Sequence, residues 1–229
     1  CDELPAGTSG SQYFESSFSV YDVAAIESFT ITSTTIVNSI ETVINGWNGY
    51  SGIDAIQWYE INIYSSVSQA GTSLMGDVVS EFIPASDIEV DENWDSDGSL
   101  ITVETQIVLD PGTYHISVIP RNNFSENGQS GIRHGINGDG VSHGANPNGG
   151  FGNGDVWSAT NDLAYRLFGQ EGIACTGDFN NDLEVGVDDL LELIASWGSC
   201  AGCEPDLNGD GEVGVDDLLE LIANWGSCL

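Results

Sequence analysis

The sequence predicts a mainly β protein: an N-terminal β-sandwich or jelly roll followed by a small C-terminal α-helical module. Three observations predict it. Residues 11 to about 170 carry short β-branched and hydroxyl-rich runs broken by Gly, Asn and Pro, the pattern of strands and turns. Residues 178–200 recur 28 residues later at 206–228, with 19 of 23 positions identical, so the C-terminal part is a duplication. Inside each copy apolar residues fall at i, i+3, i+4 and i+7, the period of an amphipathic helix. We place the domain boundary at residue 172, with 1–172 the β-sandwich and 173–229 the duplicated module.

Each expected strand has a local reason. Residues 17–21, 28–32, 56–64, 100–109 and 113–119 are rich in side chains that suit a pleated, half-buried surface. In the runs Trp58 to Tyr64 and Ile101 to Ile107 polar and apolar residues alternate, which puts one face in a core and the other in solvent. Asp110-Pro111-Gly112 supplies a turn between two runs. Residues 128–155 are rich in Gly and Asn and read as a long loop carrying Arg133, His134 and His143. Trp47, Trp58, Trp94 and Trp157 are core residues of the sandwich or, gathered on one face, a platform for stacking sugars.

The chain has 36 acidic residues against three basic ones, Arg121, Arg133 and Arg166, and a formal charge of −33. Nucleic acid and anionic membrane surfaces are thereby poor partners, because no basic patch exists to release counterions. Divalent cations are the natural counter-charge. No apolar run approaches the roughly 18 residues of a transmembrane helix. Five cysteines in a short, acidic, lysine-free chain point to an oxidising compartment, hence a secreted, extracellular or cell-surface protein whose export signal is already removed. Cys1 is the odd one out, and a lipid anchor, a disulfide and a free thiol all remain open for it.

Each repeat reads as a twelve-position loop running into a helix. The first copy places Asp178, Asn180 and Asp182 at positions 1, 3 and 5, Glu184 at 7 and Asp189 at 12. The second places Asp206, Asn208, Asp210, Glu212 and Asp217 identically. Calcium is a hard cation that takes roughly six to eight oxygens. Alternate side chains of a curling loop, a backbone carbonyl at position 7 and a carboxylate at position 12 supply them, so these ten residues are the candidate ligands of two calcium ions. Gly211 suits the sharp turn at position 6, whereas Leu183 in that place marks the first loop as the more strained. Helices are expected over 188–197 and 216–225, ended by Gly198 and Gly226. Their stripes, Leu190, Leu193, Ile194 and Trp197 with Leu218, Leu221, Ile222 and Trp225, are expected to bury each other. Leu191 and Leu219 are assigned to the core or, second, to a partner-facing surface.

The runs Gly177-Asp-Phe-Asn-Asn-Asp182 and Asp206-Leu-Asn-Gly-Asp-Gly211, each followed by a helix opening at the position-12 aspartate, resemble the dockerin module over about residues 175–228. The resemblance implies docking onto cohesin domains, or another attachment of a secreted protein to a larger assembly, in either of two orientations. The family's partner-contacting pair at loop positions 10 and 11 corresponds to Val187-Asp188 and Val215-Asp216, in place of the hydroxyl residues of many members. Four cysteines around the repeats are a second departure. Cys175 and Cys200 bracket a helix about 15 Å long, and a disulfide spans only about 7 Å between Cα atoms. If the helices pack antiparallel, the module's ends meet, which favours Cys175 with Cys228 and Cys200 with Cys203. The CxxC spacing also has a redox reading.

No nucleophile elbow and no zinc-protease helix motif appears, so the chain reads as a non-catalytic calcium-binding protein of extracellular assembly or attachment. The expected partner is a cohesin-like receptor, or copies of the chain itself in a calcium-stabilised filament or matrix. A polysaccharide is the partner under a third reading, a glycan-binding module.

Overall fold

The computed structural model describes residues 4–95, 98–171, 175–180, 182–200 and 202–228, with the side chains of 93–95 also outside the described set. Cys1 therefore lies outside the described residues. Contacts divide the chain into two compact units. The first comprises Cys1–Thr32, Val37–Ile107 and Pro111–Gly169; the second comprises Ser33–Ile36, Val108–Asp110 and Gln170–Leu229.

The N-terminal part is mainly β. Its elements are β1 (Thr8–Gly10), β2 (Ala24–Ile31), β3 (Thr35–Trp47), β4 (Trp58–Tyr64), α1 (Val67–Thr72), β5 (Val79–Pro84), β6 (Glu89–Asp95), β7 (Gly98–Leu109), β8 (Gly112–Arg121), α2 (Phe124–Asn127), β9 (Gln129–Gly135), β10 (Ser142–Ala145), β11 (Val156–Ala159), β12 (Asp162–Leu163) and β13 (Tyr165–Glu171). One seven-stranded sheet runs β1-β9-β3-β7-β6, with β12 pairing β9 and β13 pairing β3; a six-stranded sheet runs β11-β10-β2-β8-β4-β5. Strands β4 and β8 pair antiparallel with Ile61 opposite Val118.

Strand β7 alternates as its sequence requires, with Ile101, Val103, Ile107 and Leu109 buried and Glu104 and Gln106 outside or half-outside. Strand β4 does not. Ile61, Asn62, Ile63 and Tyr64 are all buried, because Ala70 and Leu74, from α1 and just beyond it, pack with Ile26, Tyr64, Ile119 and Ala145 over the second face of the sheet. Asn62 Oδ1 accepts the Gly76 N–H at 2.8 Å, whereas its buried Nδ2 has no partner among the described residues.

Two sequence expectations fail in this unit. Residues 17–21 are not a strand; they lie in a 3₁₀ turn, Ser16–Tyr21, where the Ser19 hydroxyl donates to the Ser16 carbonyl at 3.2 Å and so offers the backbone a local alternative to a sheet. Residues 128–155 are not one long loop, since they contain β9 and β10. The small residues that suggest a loop are set by close packing: a Cβ at Gly131 would meet the Ser9 carbonyl, and one at Gly144 would meet the Trp157 ring.

The second unit holds β14 (Glu184–Val185), α3 (Val187–Ala195), β15 (Gly198–Ser199), β16 (Glu212–Val213), α4 (Val215–Ala223) and β17 (Gly226–Ser227). The pairing is reciprocal. β14 of the first loop pairs with β17 after the second helix, and β15 after the first helix pairs with β16 of the second loop. Val185, Leu193, Val213 and Leu221 form the core, with Leu190 and Leu218 partly buried against it. Cys175–Cys228 and Cys200–Cys203 are disulfides, with Cα atoms 5.6 and 5.8 Å apart. The first closes a sequence separation of 53 residues, which by the chain-entropy account stabilises the fold by about 4 kcal/mol.

The expected burial of the helix stripes is only half right. Ile194, Trp197, Ile222 and Trp225 are exposed, as are Leu191 and Leu219. A two-helix unit this small covers one narrow seam, so Leu193 and Leu221 fill it and the next apolar row is left in solvent.

Candidate metal centre

Each loop is shaped by its own carboxylates accepting backbone N–H groups. Asp178 accepts from Asp182 at 3.2 Å and from Leu183 at 3.0 Å, Asn180 Oδ1 accepts from Asp182 at 3.0 Å, and Asp182 accepts from Glu184 at 2.9 Å. The second loop repeats this: Asp206 takes Asp210 and Gly211 at 3.0 and 2.9 Å, Asn208 takes Asp210 at 2.8 Å, and Asp210 takes Glu212 at 2.9 Å. The turn at position 6 needs a left-handed residue in both loops. Gly211 adopts φ +91° freely, whereas Leu183 is held at φ +68°.

The position-12 aspartates are almost fully buried. Asp189 ties the loop to the start of α3 by accepting Phe179 N–H at 2.8 Å and Gly186 N–H at 2.8 Å. Asp217 does the same for α4 with Asn208 at 3.2 Å and Gly214 at 2.7 Å. Gly186 and Gly214 stand at the helix N-caps, and each carboxylate accepts the N-cap residue's own N–H and faces the positive end of the helix dipole.

Asp178, Asp182 and Asp189 each bring an oxygen within 4.8 Å of the others. Burial, and then the negative charges of Asp182 and Asp189, push the Asp178 carboxyl above its ordinary range against the pull of the Leu183 and Asp182 N–H groups. Such a group is stabilised by a cation among it. The donors are carboxylate and amide oxygens, the chemistry calcium takes, and Glu184 and Glu212 stand exposed at position 7. In the second loop Asp206, Asp210 and Asp217 do not converge to the same closeness. There burial raises the Asp217 carboxyl, but the N–H groups of Gly214, Asn208, Asp217 itself and Leu207 outweigh it and hold the carboxyl low. Cys175 and Cys228 lie beside Asp178, but as a disulfide they offer no thiolate to a metal.

Other residues singled out by sequence are dispersed. Trp58 in β4 and Trp157 in β11 have three strands between them, and Trp47 belongs to the other sheet, so they form no common sugar platform; the Trp94 side chain is outside the described set. His134 and His143 sit in different sheets. Arg133 is buried in β9. A second acidic cluster, Glu27, Asp139 and Asp162, was not legible because its members come from distant segments. Its oxygens are engaged by backbone: Glu27 by Ser28 and Leu163, Asp162 by Gly138 and Gly140, Asp139 by Val141. Among the described residues no helix is long and apolar enough to cross a membrane. Comparison with protein-family models, with curated proteins and with solved structures returned no match.

Proposed function

We propose that the chain is a secreted, non-catalytic attachment protein, a β-sandwich carrying a dockerin-like module that folds around two calcium ions and docks onto a separate receptor. One observation carries the reading: two equivalent apolar stripes, Val187, Leu191 and Ile194 on α3 with Trp197 just beyond it, and Val215, Leu219 and Ile222 on α4 with Trp225 just beyond it, all about half exposed. Paired apolar rows of this size on a soluble module mark an interaction surface. Calcium supplies the positive charge that offsets the repulsion among Asp178, Asp182 and Asp189, the first loop's clustered carboxylates. The chain's own part is to aim those oxygens and to clamp each loop to its helix through Asp189 or Asp217.

Asp188, Glu192, Asp216 and Glu220 accompany the stripes. The fitting receptor is therefore an apolar surface rimmed by basic groups, and a second copy of this chain, itself at −33, is repelled. A self-assembling structural subunit is the second reading, favoured by the open edge strand β5, on which Phe82 is exposed. Light scattering and electron microscopy with and without millimolar calcium separate the two. A monomer that only becomes more compact is expected, and calcium-dependent polymers would replace the receptor reading with self-assembly.

A further inference from the structure

The first unit contains a box of aromatic rings that the calcium reading does not use. Phe14, Phe18, Tyr21, Phe124, Phe151 and Gln129 line a hollow of about 240 Å³. The rings meet at angles and do not stack. Phe18 and Phe124 are 5.5 Å apart at 68°, Tyr21 and Phe151 are 5.3 Å apart at 61°, and Phe14 is tilted against both Tyr21 and Phe124. Phe14 and Gln129 are buried, whereas Phe151 is 38% exposed.

Polar bonds fix the three segments that carry the rings. Glu15 accepts the N–H groups of Phe124 and Ser125 at 2.7 and 3.0 Å, and Asp22 accepts Phe14 N–H at 2.8 Å. Asn146 accepts Phe151 N–H at 3.1 Å and donates to the carbonyls of Val20 and Asp22 at 2.9 and 2.8 Å. Two of these anchors are carboxylates on the very segments that bear the rings. Burial raises the Glu15 carboxyl, but the Ser125 hydroxyl and the surrounding N–H groups prevail and hold it at about 2, so it is charged at any physiological pH. Arg121, in the strand leading to α2, donates to Asn123 Oδ1 at 3.0 Å, and its positive charge acts on Asp22, leaving Glu15 as the carboxylate not set against an arginine.

We propose that this aromatic box binds a methylated ammonium group of the choline type. Ring faces attract an organic cation through their quadrupoles while its methyl groups fill apolar space. The charged Glu15 carboxylate that anchors the ring-bearing segments and the chain's charge of −33 favour a cation over a neutral or anionic occupant.

The test is calorimetric titration of the full chain with choline and with its neutral isostere, 3,3-dimethylbutan-1-ol. Choline is expected to bind, the isostere at least about tenfold more weakly, and Phe151→Ala to weaken choline about tenfold with an unchanged melting temperature. Phe18→Ala repeats the test from a second wall. Co-sedimentation with phosphatidylcholine vesicles in addition assigns the group to a lipid head group; choline binding without it assigns a free cation. Equal affinity for the isostere, choline binding untouched by both variants, or no choline binding overturns the proposal.

Discussion

Leu183 and Gly211 occupy the same place in the two loops and meet the same backbone demand differently. Both have positive φ, but Leu183 is buried against Ile36 and Cys228, whereas nothing lies within 4 Å of a Cβ built on Gly211. Packing offsets the left-handed strain in the first loop, and nothing would offset it in the second. Gly211→Ala is therefore expected to destabilise the module by about 1 kcal/mol without a steric clash, read by thermal melting of parent and variant at the same saturating calcium concentration. Glu27 gives a second test at this scale. Burial, opposed by the N–H groups of Leu163 and Ser28 and reinforced by Asp162 and Asp139, raises its carboxyl from 4.5 to about 6. The folded state then holds the proton more tightly than the unfolded chain, so this group's contribution is fully favourable below about 4.5 and is lost as pH rises to about 6. Glu27→Gln is expected to remove that slope, about 1 kcal/mol after allowance for solvent screening, in denaturant titrations at pH 4.5 and pH 7.

At the scale of elements, sequence periodicity locates a helix better than it locates the helix's buried face. The repeats run into helices at Val187–Ala195 and Val215–Ala223, close to the expected spans. Yet the i, i+3, i+4, i+7 rule cannot say which of two adjoining apolar rows faces the core, and Leu191 and Ile194 proved to be outside. Leu193→Ala, at a fully buried position, is expected to cost about 2–5 kcal/mol and to unfold the module at moderate temperature. Leu191→Ala is expected to stay within about 0.5 kcal/mol of the parent in the same melt. The strands show the complementary limit. One-sided β7 is readable from alternation, but β4 is covered on both faces, and β9 is hidden by the glycines that its neighbours' closeness requires.

For the molecule as a whole, composition speaks to electrostatics and the repeat speaks to local chemistry, while long-range assembly stays silent in the sequence. Mainly β architecture and a duplicated loop-helix unit follow from pattern; the order of strands and the inclusion of Ser33–Ile36 and Val108–Asp110 in the second unit do not, because no local signal encodes a partner distant along the chain. The aromatic box is of the same kind, its rings being drawn from residues 14 to 151. We propose that the two loops bind calcium and that the second unit's stability depends on it. The most direct test is calorimetric titration of the chelator-treated chain with calcium, alongside Asp178→Ala and Asp206→Ala. Two ions per chain are expected, each variant losing one, with the melting temperature of the parent rising as calcium is added. No calcium-dependent heat at millimolar concentration, or binding that survives both substitutions, would contradict it.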